Sequence, residues 1–280
     1  MLVQRGGRND VKLNSRNYYS PKANREYFSV SQFKSFTRCE AATMAELSGE
    51  YVPEYGRALL LGSYVDEMLT GTKKSQDAFI EEHRADLFKK NGDPYADVEQ
   101  ADEAVARVKA QPLMMKYLSG RHQKILTGEI EGCPVKGKFD SYRPGEFLSD
   151  LKYLKDFRSP NMFENAISYY SYDMQLAVYR ELVRQNTGDV LPCYLVIVTK
   201  QQPADVAVVE ISDYDLDNAL DEFKKRIKHF QAVKNGETPA QRCESTDCPY
   251  CRATRILKEP VDSALLGMSR KQLDAMNGVV

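Results

Sequence analysis

The stretch GKFDSYRPGEFLSDLKYLK, residues 137–155, decides how this chain is read. Apolar and polar residues alternate on either side of Pro144-Gly145, the pattern of two strands joined by a turn. Asp140 and Asp150 stand ten positions apart in it, and Lys152 follows the second by two. Residues i and i+2 of a strand share a face, so Asp150 and Lys152 point one way and Leu151 the other. Pairing across the turn carries Asp140, at the end of the preceding strand, to the same end of the sheet as Asp150. Converging carboxylates repel one another unless a cation is present, and such oxygen ligands suit Mg²⁺ or Mn²⁺. A lysine beside that metal orients a water and stabilises charge building on a phosphate, as phosphodiester hydrolysis requires. An Asp-x-Lys triplet alone is common, however, and by itself reads as a solvated ion pair on an edge strand.

Working outward, HQKILTGEIEG (122–132) and CPVKGKFDSYRP (133–144) alternate and meet at Gly132 as a β-hairpin, with EFLSDLKYL (146–154) as a third strand. CYLVIVTK (193–200) is a continuous apolar run, the mark of a strand buried on both faces, and ADVAVVEIS (204–212) is a further strand. Helices are expected over 31–49, with Ser31 as N-cap and Phe33, Phe36 and Ala41 on one face, and over 54–69, 76–90, 97–118, 163–185 and 213–233. Helices followed by β-β-β-α-β-β-α imply an α/β fold, a mixed β-sheet core flanked by helices with a helical N-terminal elaboration. The expected organisation is a basic, partly irregular arm (1–28) and one domain (29–255), then a tail (256–280) resembling a short amphipathic helix. Within the domain lie a helical part (29–119), a sheet core (120–235) and a cysteine-bearing segment (243–251).

With 42% apolar and 28% charged residues the composition is that of a soluble globular protein, and no run approaches the ~18 apolar residues of a membrane helix. The start, MLVQRGGRND, has no apolar signal core, and six cysteines are too few for a disulfide scaffold, so the bacterial host cytoplasm is the expected compartment. The net charge of −1 is not that of a globally basic nucleic-acid binder. Locally, residues 1–38 hold eight basic against two acidic residues, an arm that can track phosphates or simply be solvated; residues 40–119 hold nine against fifteen. His83, His122 and His229 show no ligand-like spacing, and neither a G-x-S-x-G elbow nor a P-loop is present, so a histidine-rich zinc hydrolase, an α/β-hydrolase and an intrinsic ATPase are set aside.

Two further segments bear on the acidic pair. LLLGSYVDEML puts Gly62 and Asp66 at i, i+4 on an apolar helix, making Asp66 a third candidate carboxylate. YYSYDMQLAVYREL puts Tyr172, Gln175 and Tyr179 on one helical stripe, read either as aromatic packing or as a helix reaching the metal site or a DNA backbone.

Together these elements resemble the PD-(D/E)XK nuclease superfamily, and within it the RecE/RecB-like exonucleases of phages and prophages. The matching order is Gly62-x-x-x-Asp66, Gly137-Lys138-Phe139-Asp140, Asp150-Leu151-Lys152 and YSYDMQLAVY, over roughly residues 28–255. The resemblance implies a restriction-endonuclease-like core with Mg²⁺ (or Mn²⁺) held by Asp140, Asp150, the Leu151 carbonyl and Asp66. It assigns Lys152 as catalytic lysine and Gln175 and Tyr179 as the supporting helix motif. It also implies 5′→3′ resection of double-stranded DNA ends for homologous recombination, a single-strand annealing protein as partner, no membrane association, and a homo-oligomer. Candidate backbone contacts are the basic arm, Lys136, Lys138 and Arg158. In two respects the chain departs from the pattern: many RecB-like members have histidine in place of Asp66, and Tyr153 stands where Thr or Ser often follows the lysine, which should alter hydrogen bonding around the site. The alternative is a non-catalytic DNA-binding or assembly module that keeps the fold, against which the intact Asp150-x-Lys152 argues.

Cys243, Cys248 and Cys251 follow a C-x₄-C-x₂-C pattern that suggests soft-metal ligation, with Cys39 as candidate fourth ligand. Cys133 and Cys193, in expected strands, read as buried packing. One early and three late cysteines resemble the iron–sulfur nucleases, which implies a [4Fe–4S] cluster, although the late trio there usually reads C-x₂-C-x₅-C. Zinc or unligated thiols are the alternatives. A third reading of the whole chain makes it a zinc-stabilised interaction protein.

Overall fold

Every residue of the run CYLVIVT is buried or nearly so, and its alternation shows why. Cys193, Leu195 and Ile197 face one hydrophobic core, while Val196 and Val198 face another. This strand is the centre of the fold in a computed structural model that describes residues 12–54, 56–158, 166–243, 245 and 247–256, with positions 260, 263, 267, 268 and 272 beyond.

Helices come first: α1 (Pro21–Glu26), α2 (Val30–Arg38), α3 (Glu40–Ser48), α4 (Arg57–Thr70), α5 (Lys73–Glu82), α6 (Arg84–Leu87), α7 (Ala96–Lys109) and α8 (Pro112–Tyr117). Strands β1 (Lys124–Ile130), β2 (Cys133–Phe139), β3 (Ser141–Arg143) and β4 (Phe147–Leu154) follow, then α9 (Ala166–Tyr169), α10 (Tyr172–Thr187), β5 (Cys193–Thr199), β6 (Val206–Ile211), α11 (Asp213–Lys234) and α12 (Pro249–Ala253). A four-stranded mixed sheet has the order β3-β4-β5-β6, with β4 and β5 parallel and joined through α10, and the other pairs antiparallel. The β1–β2 hairpin is a separate two-stranded sheet. The core that includes Phe33, Phe36, Leu176, Leu182, Phe223 and Phe230 brings α2, α10 and α11 to one face of the main sheet; the core around Val65, Val105 and Met114 brings α4, α7 and α8 to the other. The mixed α/β fold with an N-terminal helical elaboration is the one expected.

Several expected helices are interrupted for local reasons. The helix over 31–49 is two: Cys39 adopts an extended backbone between α2 and α3, and the N-cap is Ser29, whose Oγ accepts from Gln32 N, not Ser31. The end at Gly49 is as read, with a left-handed φ of 84°. The helix over 97–118 breaks before Pro112, which has no N–H to continue it. Ser171, at φ 52°, separates α9 from α10, and α10 runs on to Thr187. Residues 163–165 and most of the expected tail helix lie outside the described residues. In the described part of the arm, Ser20 caps α1, and Phe28 forms a bridge with Val135 that extends the hairpin. Among the described residues no helix is long and apolar enough to cross a membrane.

Candidate active site

The strand expected to run unbroken through CPVKGKFDSYRP changes sheet at Asp140. β2 ends at Phe139 against β1, and β3 begins at Ser141 against β4. The register that pairs Ser141 with Ser149 lays Asp140 alongside Asp150, and Asp140 Oδ2 accepts a hydrogen bond of 3.2 Å from Leu151 N. His122 Nδ1 donates to the Asp140 carbonyl at 2.9 Å and holds the bend from the other side.

Asp150 is 1% exposed. Its Oδ1 accepts from Gln175 Nε2 at 2.8 Å; its Oδ2 is buried against the Lys152 ammonium. Gln175 fastens the rest: Oε1 accepts from Lys152 Nζ at 3.3 Å, and Nε2 also donates to the Tyr179 hydroxyl at 3.2 Å. The stripe on α10 therefore faces the site, and the Tyr172 ring centroid is 4.8 Å from Lys152 Nζ. Gly137 lets the helix come this close, since a Cβ there would stand 2.9 Å from Leu182 Cδ1 and 3.0 Å from Tyr179 Cδ1. From the opposite layer α4 supplies Asp66, held by Thr70 Oγ1 at 3.2 Å and Gln123 Nε2 at 3.1 Å.

The electrostatics follow from this crowding. Burial, then Asp150 and Asp66, hold the Asp140 carboxyl well above the usual carboxylate range. Burial, with Asp150 and Glu67 as like charges, raises Asp66 as well. Burial works against the Lys152 ammonium, but Asp150 and Asp140 more than offset it and its pKa is raised. Burial first, then Tyr18 and the two aspartates, keeps the Tyr179 phenol protonated. Three converging carboxylates, with Asp66 and Asp140 held above the usual carboxylate range, form a hard donor set that fits a divalent cation. Asp66, Asp140, Asp150 and Leu151 are the residues that can hold it. Their oxygens are gathered more loosely than the four cysteine sulfurs, which form the one set of three or more His, Cys, Asp or Glu ligand atoms within 4.8 Å of one another among the described residues.

Some expected neighbours are elsewhere. Lys136 is 1% exposed and bound to the Tyr18 carbonyl and Asn24 Oδ1, so it anchors the arm instead of facing a ligand. Lys138 lies against the Tyr18 and Tyr19 rings, and Arg158 is exposed and pairs with Asp156. Arg5 and Arg8 lie outside the described residues. Tyr153, expected to alter hydrogen bonding at the site, shares with Leu151 the opposite face of β4: it packs in the α4–α7–α8 core with its hydroxyl unpartnered. Sequence reading missed Lys34 on α2, whose Nζ donates to the Tyr170 carbonyl at 2.7 Å and lies 5.4 Å from the Tyr172 centroid. It missed His122 and Gln123 too, since the left-handed backbone of Gln123 (φ 53°) leaves no mark in composition.

The cysteines divide as read. Cys133 and Cys193 are buried in the core. Cys39 Sγ lies 3.6 Å from Cys251 Sγ, which is 3.7 Å from Cys243 Sγ, and Cys248 completes the cluster.

A family model described as a PDDEXK-like domain of unknown function (DUF3799) matches residues 29–254. A solved crystal structure of a "Putative exonuclease" from Eubacterium rectale is 38% identical, with a TM-score of 0.84, over 90% of this chain and 97% of that one. No curated protein matches.

Proposed function

The chain belongs to the PDDEXK-like domain family, within the PD-(D/E)XK nuclease superfamily, and from that premise we propose that it is a Mg²⁺-dependent exonuclease acting on the ends of duplex DNA. One observation carries the reading: Asp150, Lys152 and Gln175 form a bonded triad beside Asp140 and Asp66, and the last two carboxyls resist ionisation. Asp140, Asp150, Asp66 and the Leu151 carbonyl would hold the cation, which when bound lowers the pKa of a water and offsets phosphate charge. Lys152 keeps its proton, orients the attacking water and stabilises negative charge building on the phosphate. Gln175 holds the Asp150 carboxylate and the Lys152 ammonium in fixed relation, and Tyr179 buttresses Gln175. Exposed Arg158 and half-buried Lys138 are the candidates for sequence-blind backbone contacts.

The same reading includes 5′→3′ digestion that leaves a 3′ single strand for an annealing partner in recombination. The test is linear duplex, labelled at either end, incubated with Mg²⁺. Acid-soluble nucleotides should come from linear but not covalently closed DNA, lose the 5′ label first, and disappear with Asp150→Ala or with EDTA. A wild-type protein that binds the duplex yet releases nothing would establish the non-catalytic alternative.

A further inference from the structure

The cysteine quartet is tighter than the cluster its pattern resembles. We propose that Cys39, Cys243, Cys248 and Cys251 hold one tetrahedral zinc ion and not a [4Fe–4S] cluster. The proposal is independent of the nuclease reading.

The argument is a matter of size. Four sulfurs at about 2.3 Å from one zinc occupy the corners of a tetrahedron with edges of about 3.8 Å. The observed separations of 3.6 Å and 3.7 Å match that edge, and all four sulfurs lie within 4.8 Å of one another. In a cubane cluster each thiolate binds its own iron, which pushes the sulfurs about 6 Å apart. Opening the quartet that far would need every pair to separate by more than about 1 Å.

The backbone on both sides opposes such an opening. Cys39 sits at the junction of α2 and α3, with its N–H bonded to the Ser35 carbonyl at 3.0 Å. The late cysteines are tied to the same helix pair: Ala41 N donates to Gln241 O at 3.0 Å, and Gln241 N to Glu40 Oε2 at 2.9 Å. Arg242 donates to the Cys251 carbonyl, and Tyr250 packs edge-on against Tyr51. Cys251 is fully buried. The spacings C-x₄-C and C-x₂-C both lie in the range that zinc accepts from one segment. With all four positions filled by protein thiolates, no coordination site is left for a water, so this zinc is structural. It joins the end of α2 to a segment more than two hundred residues further along the chain.

The test is elemental analysis, acid-labile sulfide assay and visible spectroscopy on full-length protein purified anaerobically without added metal. The expected result is about one zinc per chain, with no stoichiometric iron or sulfide and no visible absorption. Exchange with Co²⁺ should produce sulfur-to-cobalt charge transfer and the d–d bands of a tetrahedral sulfur site. Chelation should lower the melting temperature by roughly 5–10 °C in the wild type, and much less in Cys248→Ser. Asp150→Ala should keep its zinc, which separates this result from failure of the nuclease reading. About four irons and four sulfides per chain, or folded protein that carries no metal and takes up no cobalt, would overturn the proposal.

Discussion

Lys34 and Lys152 hold their ammonium groups against the same ring, 5.4 Å and 4.8 Å from the centroid of Tyr172, yet their pKa values move in opposite directions. Lys152 lies on the two aspartates and is raised. Lys34 is lowered to about 8, by burial first and then by Lys152 itself. One lysine is neutralised within the site, and the other brings it a positive charge that, among the described residues, no carboxylate contacts directly.

That second charge is expected to serve the phosphate. Lys34→Met should lower kcat/KM on duplex ends by about 10- to 100-fold, the scale of one lost transition-state donor. Because Lys34 loses its proton above pH 8 or so, its contribution is present below that pH and fades above it. Lys34→Arg should keep most activity and move the alkaline fall of the pH profile upward, since a guanidinium stays charged. An unchanged rate in Lys34→Met would remove Lys34 from the site.

The carboxyl cluster should cost stability when no cation is bound. The folded pKa of Asp140 is raised, so below the unfolded value of 3.8 the group is protonated in both states and costs nothing. As pH rises toward the folded pKa the unfolded chain ionises first, and stability falls. At pH 7 Asp140→Asn should therefore raise the melting temperature of the EDTA-treated protein by a few degrees while it abolishes cleavage. Mg²⁺ should raise the melting temperature of the wild type and leave that of the variant nearly unmoved.

Lys234 offers a separate pH signature. Burial, and then Lys136, lower it from 10.5 to about 7, although its Nζ donates to the Tyr27 carbonyl and Gln32 Oε1 and lies 4.1 Å from the Phe28 centroid. Between pH 7 and 10.5 the unfolded chain binds the extra proton, so this group makes stability rise with pH. Chemical denaturation across that window should show a smaller upward slope in Lys234→Met than in the wild type. Equal slopes would mean that the lysine keeps its proton through its two acceptors.

Tyr153→Phe tests which face of β4 carries chemistry. The hydroxyl is buried without a partner and belongs to the α4–α7–α8 core. Removing it should leave cleavage within about twofold and stability unchanged or up to about 1 kcal/mol higher. A large loss of activity would restore the hydrogen-bonding role expected of the position after the lysine.

What could be read from the chain divides along physical lines. The double-sided burial of CYLVIVT, the shared face of Asp150 and Lys152, and the α10 stripe of Tyr172, Gln175 and Tyr179 are all periodicity, and periodicity is local. The bend at Asp140 was hidden because it depends on which strand pairs with each half of the segment, and both partners are distant in sequence. Lys34 resembled any other base in a basic arm, since only the packing of α2 against α10 turns it inward. Lys136 gives the converse case: its acceptors, the Tyr18 carbonyl and Asn24, come from the arm beside which its charge alone would place it on DNA. The break at Cys39 likewise answers to a tertiary partner, Cys251, and not to helix preference.

The anchoring of Lys136 and Lys234 bears on where the chain can be trimmed. The family match begins at residue 29, which invites expression from that point. Such a truncation would delete Tyr18, Asn24 and Tyr27, leaving two interior ammonium groups facing water-poor space with most of their acceptors gone. A folding unit that keeps these acceptors is expected to start at or before Tyr18, and a chain begun at residue 29 should yield insoluble protein.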